Sequence, residues 1–403
     1  MTQERQRQVI GNVGLLDIRH AEPASIEAIE RIGNVGTVLY SRATAGLLTK
    51  LNIGNIGSSL EVPDDTQLVS GQITIHRDFF QEQTTPLNLM LAGQMIVKPD
   101  VSAEELTAGI GSLYVAGQIV CPQHLIGSLQ PKIKNLSGQT VVYTGDARLV
   151  MGKLKLDAAY LHGLNDQSSL LVLGKVDALD VLDNDLLKTK VRELHVLGKI
   201  RYHQENGEAF RTLLTGDAVR SVEIPAGYAV IDRSVVLDSM LLSTLKSRRL
   251  YSTGRIEIGA DVPPELLDER IDGLKSEEMI VCAKSLSQVM ADKVDLLADR
   301  VIFYAGEIWI VDGEEILRSA RFDYLDGSMT LLVTGELTID PSIEPAVLAQ
   351  RLHQVMNFGS IQCTPAQMGA VQARLTLDEG ELVDSMAAED DILSLGNVGH
   401  LAL

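Results

Sequence analysis

A chain of 403 residues with 45% hydrophobic side chains can build a large interior, but aromatics are only 4%, so Leu, Val, Ile and Ala must fill it. The formal charge of −19, from 54 acidic and 35 basic residues, repels phosphate backbones and anionic membrane surfaces and excludes nucleic acid as a main partner. Three widely spaced cysteines, Cys121, Cys282 and Cys363, form no CxxC pair and fit a reducing cytoplasm. No run of about 18 apolar residues marks a membrane insertion.

The chain opens on copies of one word, GN[VI]G: VIGNVGLLDI at 9–18, RIGNVGTVLY at 31–40 and NIGNIGSSLE at 52–61. With the last glycine of each as anchor, Asn12, Asn34 and Asn55 stand two positions before it. Residues 1–62 are therefore expected to form N-terminal capping coils, with the asparagines stacked and hydrogen-bonded along the axis, since a buried amide without partners is costly.

From 63 to 376 a second unit recurs, apolar–x–apolar–x–Gly–x–apolar–x–apolar. It reads LYVAGQIVC at 113–121, LHVLGKIRY at 194–202, LYSTGRIEI at 250–258, IFYAGEIWI at 302–310 and LLVTGELTI at 331–339, with weaker copies on Gly71, Gly93, Gly152, Gly174 and Gly359. Several neighbouring anchors lie 22 to 24 residues apart, as from 71 to 93 and from 174 to 198. Alternation around a glycine predicts strands, and a period in the twenties predicts a solenoid. Between strands, Ser102 with Glu105, Thr364 before Pro365, and Asp261 before two prolines predict short helix starts. The expected fold is α/β: one continuous, elongated repeat solenoid of parallel strands with short helical or loop crossovers. The alternative is a β-solenoid with few helices. TGDA at 144–147 and again at 215–218, 71 residues on, predicts a larger register of about three units.

Ile110-x-x-Leu113-x-Val115 and Val191-x-x-Leu194-x-Val196 resemble leucine-rich repeats over roughly residues 60–375, although the family's asparagine after the strand is missing. The resemblance implies an adaptor that binds a different protein along its strand face.

Two columns flank the glycine. Three positions before it stand Met90, Tyr114, Leu171, Tyr251, Leu332 and Met356, an apolar column that a second layer should cover. An exposed partner stripe is the alternative. One position after it the chain places glutamines, then Lys153, Lys175, Lys199 and Arg255, then Glu307 and Glu336, a graded ladder suited to docking between copies.

No chemistry announces itself. The Gly-Lys pairs at 152, 174 and 198 lack the Ser or Thr of a phosphate loop, and no HExxH or GxSxG occurs. No catalytic, cofactor or metal residue is nominated, and no cofactor is expected. The acidic run at 377–391 reads as a solvated tether, and 392–403 as one more GNVG strand, with Asn397 in the asparagine column and Leu401 and Leu403 facing a core. This strand is expected to dock on the opening coils, preferentially of another molecule and head-to-tail. The expected function is a non-enzymatic scaffolding protein that binds protein, chiefly itself. A leucine-rich-repeat-type adaptor and a solenoid enzyme with a dispersed site are the alternatives.

Overall fold

The computed structural model describes residues 8–216, 219–385 and 393–403. The fold is mixed α/β, and all its strand pairings are parallel within the described residues. Short helices lie between strands and start where side chains can cap them. Ser102 and Thr364 each form a full capping box, at Ala103–Gly109 and Pro365–Gln372. Asp261 does not cap its helix, which is capped at Pro263 and starts at Pro264. Its carboxylate instead accepts the Ser239 backbone N–H at 2.9 Å, one rung away.

The strand ladder is not continuous across 63–376. It breaks into four stacks of strand–helix rungs, and the opening coils make a fifth. The first holds β1 (Gln8–Asp17), β2 (Ile29–Tyr40) and β3 (Ile53–Glu61). The second holds β4 (Gln67–Ile75), β5 (Leu87–Val97), β6 (Ile110–Pro122) and β7 (Ile133–Tyr143). The third holds β8 (Arg148–Lys155), β9 (Ser168–Ala178), β10 (Val191–His203), β11 (Leu214–Thr215) and β12 (Val219–Ile224). In the fourth (229–304) and fifth (307–384) each rung is cut in two, so each stack has two sheets. Every stack has its own apolar core. Residues 377–384 belong to the last rung of the fifth stack rather than to a tether, and 386–392 lie outside the described residues.

Glycine explains how a rung turns. Gly71, Gly93, Gly117 and Gly138 stand in register, and so do Gly152, Gly174 and Gly198. At Gly117 φ is +146°, a conformation open essentially to glycine alone, and the strand bends there from one limb to the other. A Cβ on Gly117 would sit 1.9 Å from the Gly93 carbonyl oxygen of the rung beside it. The column therefore serves both backbone conformation and close stacking.

Neighbouring stacks lie side by side. Lys153 meets Asp232, and Arg300 meets Glu379, each 79 residues along the chain. That offset, not the 71 residues between the TGDA words, is the larger register. Gly145 stands between two stacks, whereas Gly216 stands within a rung, so the two words are not equivalent. The apolar column three before the glycine is covered, because the next stack's first limb packs on the second limb of the one before. Met90 packs against Leu39 and Leu60, Leu171 against Ile96 and Val120, and Leu332 and Met356 against Val281 and Ile302.

The strand Leu393–Ala402 pairs with β1 of its own chain, Asn397 opposite Asn12, and supplies the first stack with its fourth strand. The expected docking on another molecule is thus replaced by closure within the chain. The reason is reach: Ser385 and Leu393 are eight residues apart, no more than about 29 Å, so the row of stacks must curve back on its start. A straight, elongated stack could not close in this way.

Candidate interaction site

Two constellations stand out, the asparagine ladder of the first stack and an ion cluster between the third and fourth stacks. In the ladder, Asn55 Nδ2 donates to Asn34 Oδ1 at 2.7 Å, Asn34 to Asn12 at 2.6 Å, and Asn12 to Asn397 at 2.7 Å. The asparagines bond along the axis as the repeat predicts, but they face solvent rather than sharing the core column of Leu91 and Val115. In the first stack the inward residues are Ile10, Val13 and Leu16. Gly11 and Gly14 spread the turn over four residues, and this shifts the inward position by one. Leu401 and Leu403 are half-buried against the same core, and the Leu403 N–H donates to the Asp17 carbonyl at 3.0 Å.

The basic band does not present free charges. Lys153 lies 3.0 Å from Asp177 and 2.9 Å from Asp232, Lys175 is 3.5 Å from Asp177, Lys199 pairs with Glu277, and Arg255 is 3.2 Å from Asp312. These partners lie within the chain, so the cations are not held in reserve for another copy. Glu307 leaves its expected column altogether: it pairs in register with Met329, because Gly306 (φ +71°) is the link between two stacks. Glu336 stands beside Glu314 and Ser360, exposed.

The ion cluster fills the interface where the other stacks use apolar side chains. Asp177 and Arg201 stand three residues after their glycines, where the second stack has Ile96 and Val120. Arg201 reaches Asp177 at 3.1 Å and Glu277 at 2.8 Å, and the Tyr251 hydroxyl donates to Glu277 at 2.9 Å. Burial alone raises the pKa of Glu277, but hydrogen bonds from Arg201, Lys199 and Tyr251 outweigh it and hold its carboxyl below the usual range. The hydrogen bond from Lys153 likewise lowers Asp232. Such groups stabilise the fold above their unfolded pKa values and lose that contribution as pH falls through the lower folded values. Arg201→Leu takes away the cation that Asp177 and Glu277 share, leaving Asp177 to Lys153 and Lys175 and Glu277 to Lys199, and should lower the melting temperature most at neutral pH. The difference from wild type should narrow in acid, as pH falls through the lowered folded pKa of Glu277. A difference that stays constant from pH 7 to pH 3, followed by circular dichroism, would show that Arg201 acts through packing alone.

Other recesses hold less. A groove of ≈ 770 Å³ between the fourth and fifth stacks is lined by Arg255, Glu277, Arg300, Asp312 and Phe358, with Arg300 lying 5.0 Å over the Phe358 ring and paired to Glu379. A smaller one of ≈ 290 Å³ contains Glu193 and His195, where burial lowers the histidine pKa and the Thr144 hydroxyl donates to Glu193. All three thiols are buried, and burial pushes Cys121 and Cys282 up to about 12, which leaves them unreactive at neutral pH. Among the described residues no three His, Cys, Asp or Glu side chains gather to hold a metal ion, and no helix is long and apolar enough to cross a membrane.

No family model matches the chain, and neither a curated protein nor a solved structure is similar to it.

Proposed function

We propose that this chain is a non-enzymatic, cytoplasmic scaffolding protein, built of short solenoid stacks and associating with itself through the ends of those stacks. One observation carries the reading. Within a stack the inward column is sealed, as at Val13 and Val35, each 2% exposed, yet the last rung leaves Ile56 43% exposed in the same column. In the second stack the inward Leu91 and Val115 are fully buried, while Leu136 of the last rung is 39% exposed. An apolar column that ends open beside an unpaired parallel strand is a template for another strand.

The contact would rest on backbone hydrogen bonds and apolar side chains, not on the basic band. Copies carrying −19 each repel one another at low ionic strength. Association should therefore strengthen between 20 mM and about 0.15 M salt, where the screening length falls to about 8 Å. Light scattering coupled to size exclusion reads this directly. A monomer at every concentration and salt level would overturn the reading, and association that collapses with salt would return the charge ladder to favour.

A further inference from the structure

We propose that the free edge of the strand Leu393–Ala402 is built to receive β3 of a second copy, in parallel and with Asn397 opposite Asn55. This rests on the self-association proposed above and assigns its interface. Two glycines of the closing strand, Gly396 and Gly399, are not required by the folded chain. A Cβ on Gly11 would lie 3.1 Å from the Gly396 carbonyl oxygen, one on Gly33 2.4 Å from Gly11, and one on Gly54 2.4 Å from Gly33. The second glycine row behaves alike, with Gly14, Gly36 and Gly57 at 2.7, 2.6 and 2.6 Å from the carbonyl oxygen of the preceding rung. Each glycine is there because a neighbouring backbone presses on it. At Gly396 and Gly399 a Cβ would meet nothing within 4 Å, and neither residue has a positive φ. The first-rung Gly71 and Gly152 also have open space, but their φ values of +86° and +82° require glycine. Gly396 and Gly399 are explained once another glycine-bearing strand lies beneath them.

The side-chain ladder points to the same occupant. Each asparagine donates to the one in the preceding rung, so the row ends with an unengaged Nδ2 on Asn397 and an unengaged Oδ1 on Asn55, both exposed. A donor at one edge and an acceptor at the other fit each other across two copies and do not fit two like edges. The backbone agrees: β3 carries Gly54 and Gly57 at the spacing of Gly396 and Gly399, and it presents its free edge on the opposite side of the same sheet. Placing β3 under the closing strand continues the existing parallel ladder by one rung. It would also seal Ile56 of one copy over the first-rung residues of the other. Such a contact is heterologous, so it propagates into chains of copies instead of stopping at a dimer.

Two variants test the register. Gly396→Val with Gly399→Val adds side chains where the single chain has room, but where a docked β3 would place its carbonyl oxygens. Ile56→Lys puts a charge at the other edge, where the side chain is already 43% exposed. Each variant should keep the wild-type melting temperature and remain monomeric at concentrations where wild type forms chains in sedimentation velocity. Mixed one to one, they should form a heterodimer and nothing larger, because each contributes one intact edge. Two monomers that ignore each other, or variants that still form chains, would overturn the assignment, the latter while leaving self-association through another surface standing. A wild type that never associates would instead remove the reading on which it rests. If the glycine pair proves destabilised, Ile56→Lys mixed with wild type gives the same answer, since it should cap chains and shorten them in proportion to its amount.

Discussion

Val in place of Gly117 or Gly198 is expected to unfold the stack that contains it. The substitution meets two penalties together. At φ +146° and +141° an L side chain is strained, which costs about 1–3 kcal/mol. The new Cβ would also stand 1.9 Å from the Gly93 carbonyl oxygen, or 2.0 Å from that of Gly174, and relieving such overpacking costs about 1–3 kcal/mol more. A total of about 2–6 kcal/mol is a large share of the 5–15 kcal/mol by which domains are stable. The backbone oxygen cannot swing aside as a flexible side chain would, because it is held in the ladder. Gly369→Ala is the control: this glycine is exposed within the helix Pro365–Gln372, with nothing within 4 Å of a Cβ. It should stabilise by about 0.5–1 kcal/mol, the usual gain of alanine over glycine inside a helix. Chemical denaturation of the three variants decides the matter, and equal midpoints would mean that the glycine column has no structural role.

Removing residues 393–403 should have the second large effect. The strand contributes a full parallel ladder to β1 and the half-buried Val398, Leu401 and Leu403 to the first core. Half-burial of three such side chains amounts to about 3 kcal/mol at 1.5–3 kcal/mol for each when fully buried, before any backbone bond is counted. The truncated chain should melt in two steps, with the first stack early and the other four near the wild-type temperature. It should also associate or aggregate more than wild type, since the edge of β1 is then open. A synthetic peptide of residues 393–403 should restore the single transition. A truncated chain that melts like wild type and ignores the peptide would show that closure contributes nothing to stability.

Much of the local structure was legible in the residues. Strict alternation around Gly93, Gly117, Gly174 and Gly198 located their strands, and Ser102 and Thr364 located their helices, because these signals act over a few neighbours. The apolar column at Met90, Leu171 and Leu332 also announced a second layer. What escaped was the division into stacks. Gly306 has the same flanking pattern as Gly117, yet it links stacks, and only the pairing partners of Val301 and Glu307 separate the two cases. The division is decided by contacts some 79 residues apart, which no local period reports. The ion cluster left a readable trace: Asp177 and Arg201 interrupt a column that is apolar at Ile96 and Val120, and such a break marks a buried partner elsewhere in the chain. The asparagine row is legible as a ladder but its exposure is not, because two glycines three residues apart turn a strand differently from one. The lysines looked free because Asp177, Asp232 and Glu277 lie far from them in sequence or carry no repeat of their own.

Closure by the strand Leu393–Ala402 also sets an order for synthesis. Asn12 bonds to Asn397 across 385 positions, so the first stack is made early and finished late. At about 5–20 residues per second on the ribosome, the edge of β1 waits some 20–80 s for its partner, while stacks two to four can each fold as their own four rungs emerge. During that interval neighbouring nascent chains on one messenger carry the same open edge and the same GNVG word. A polysome is thus where a wrong closure between chains is most available, and messages translated at low density should yield the cleaner product.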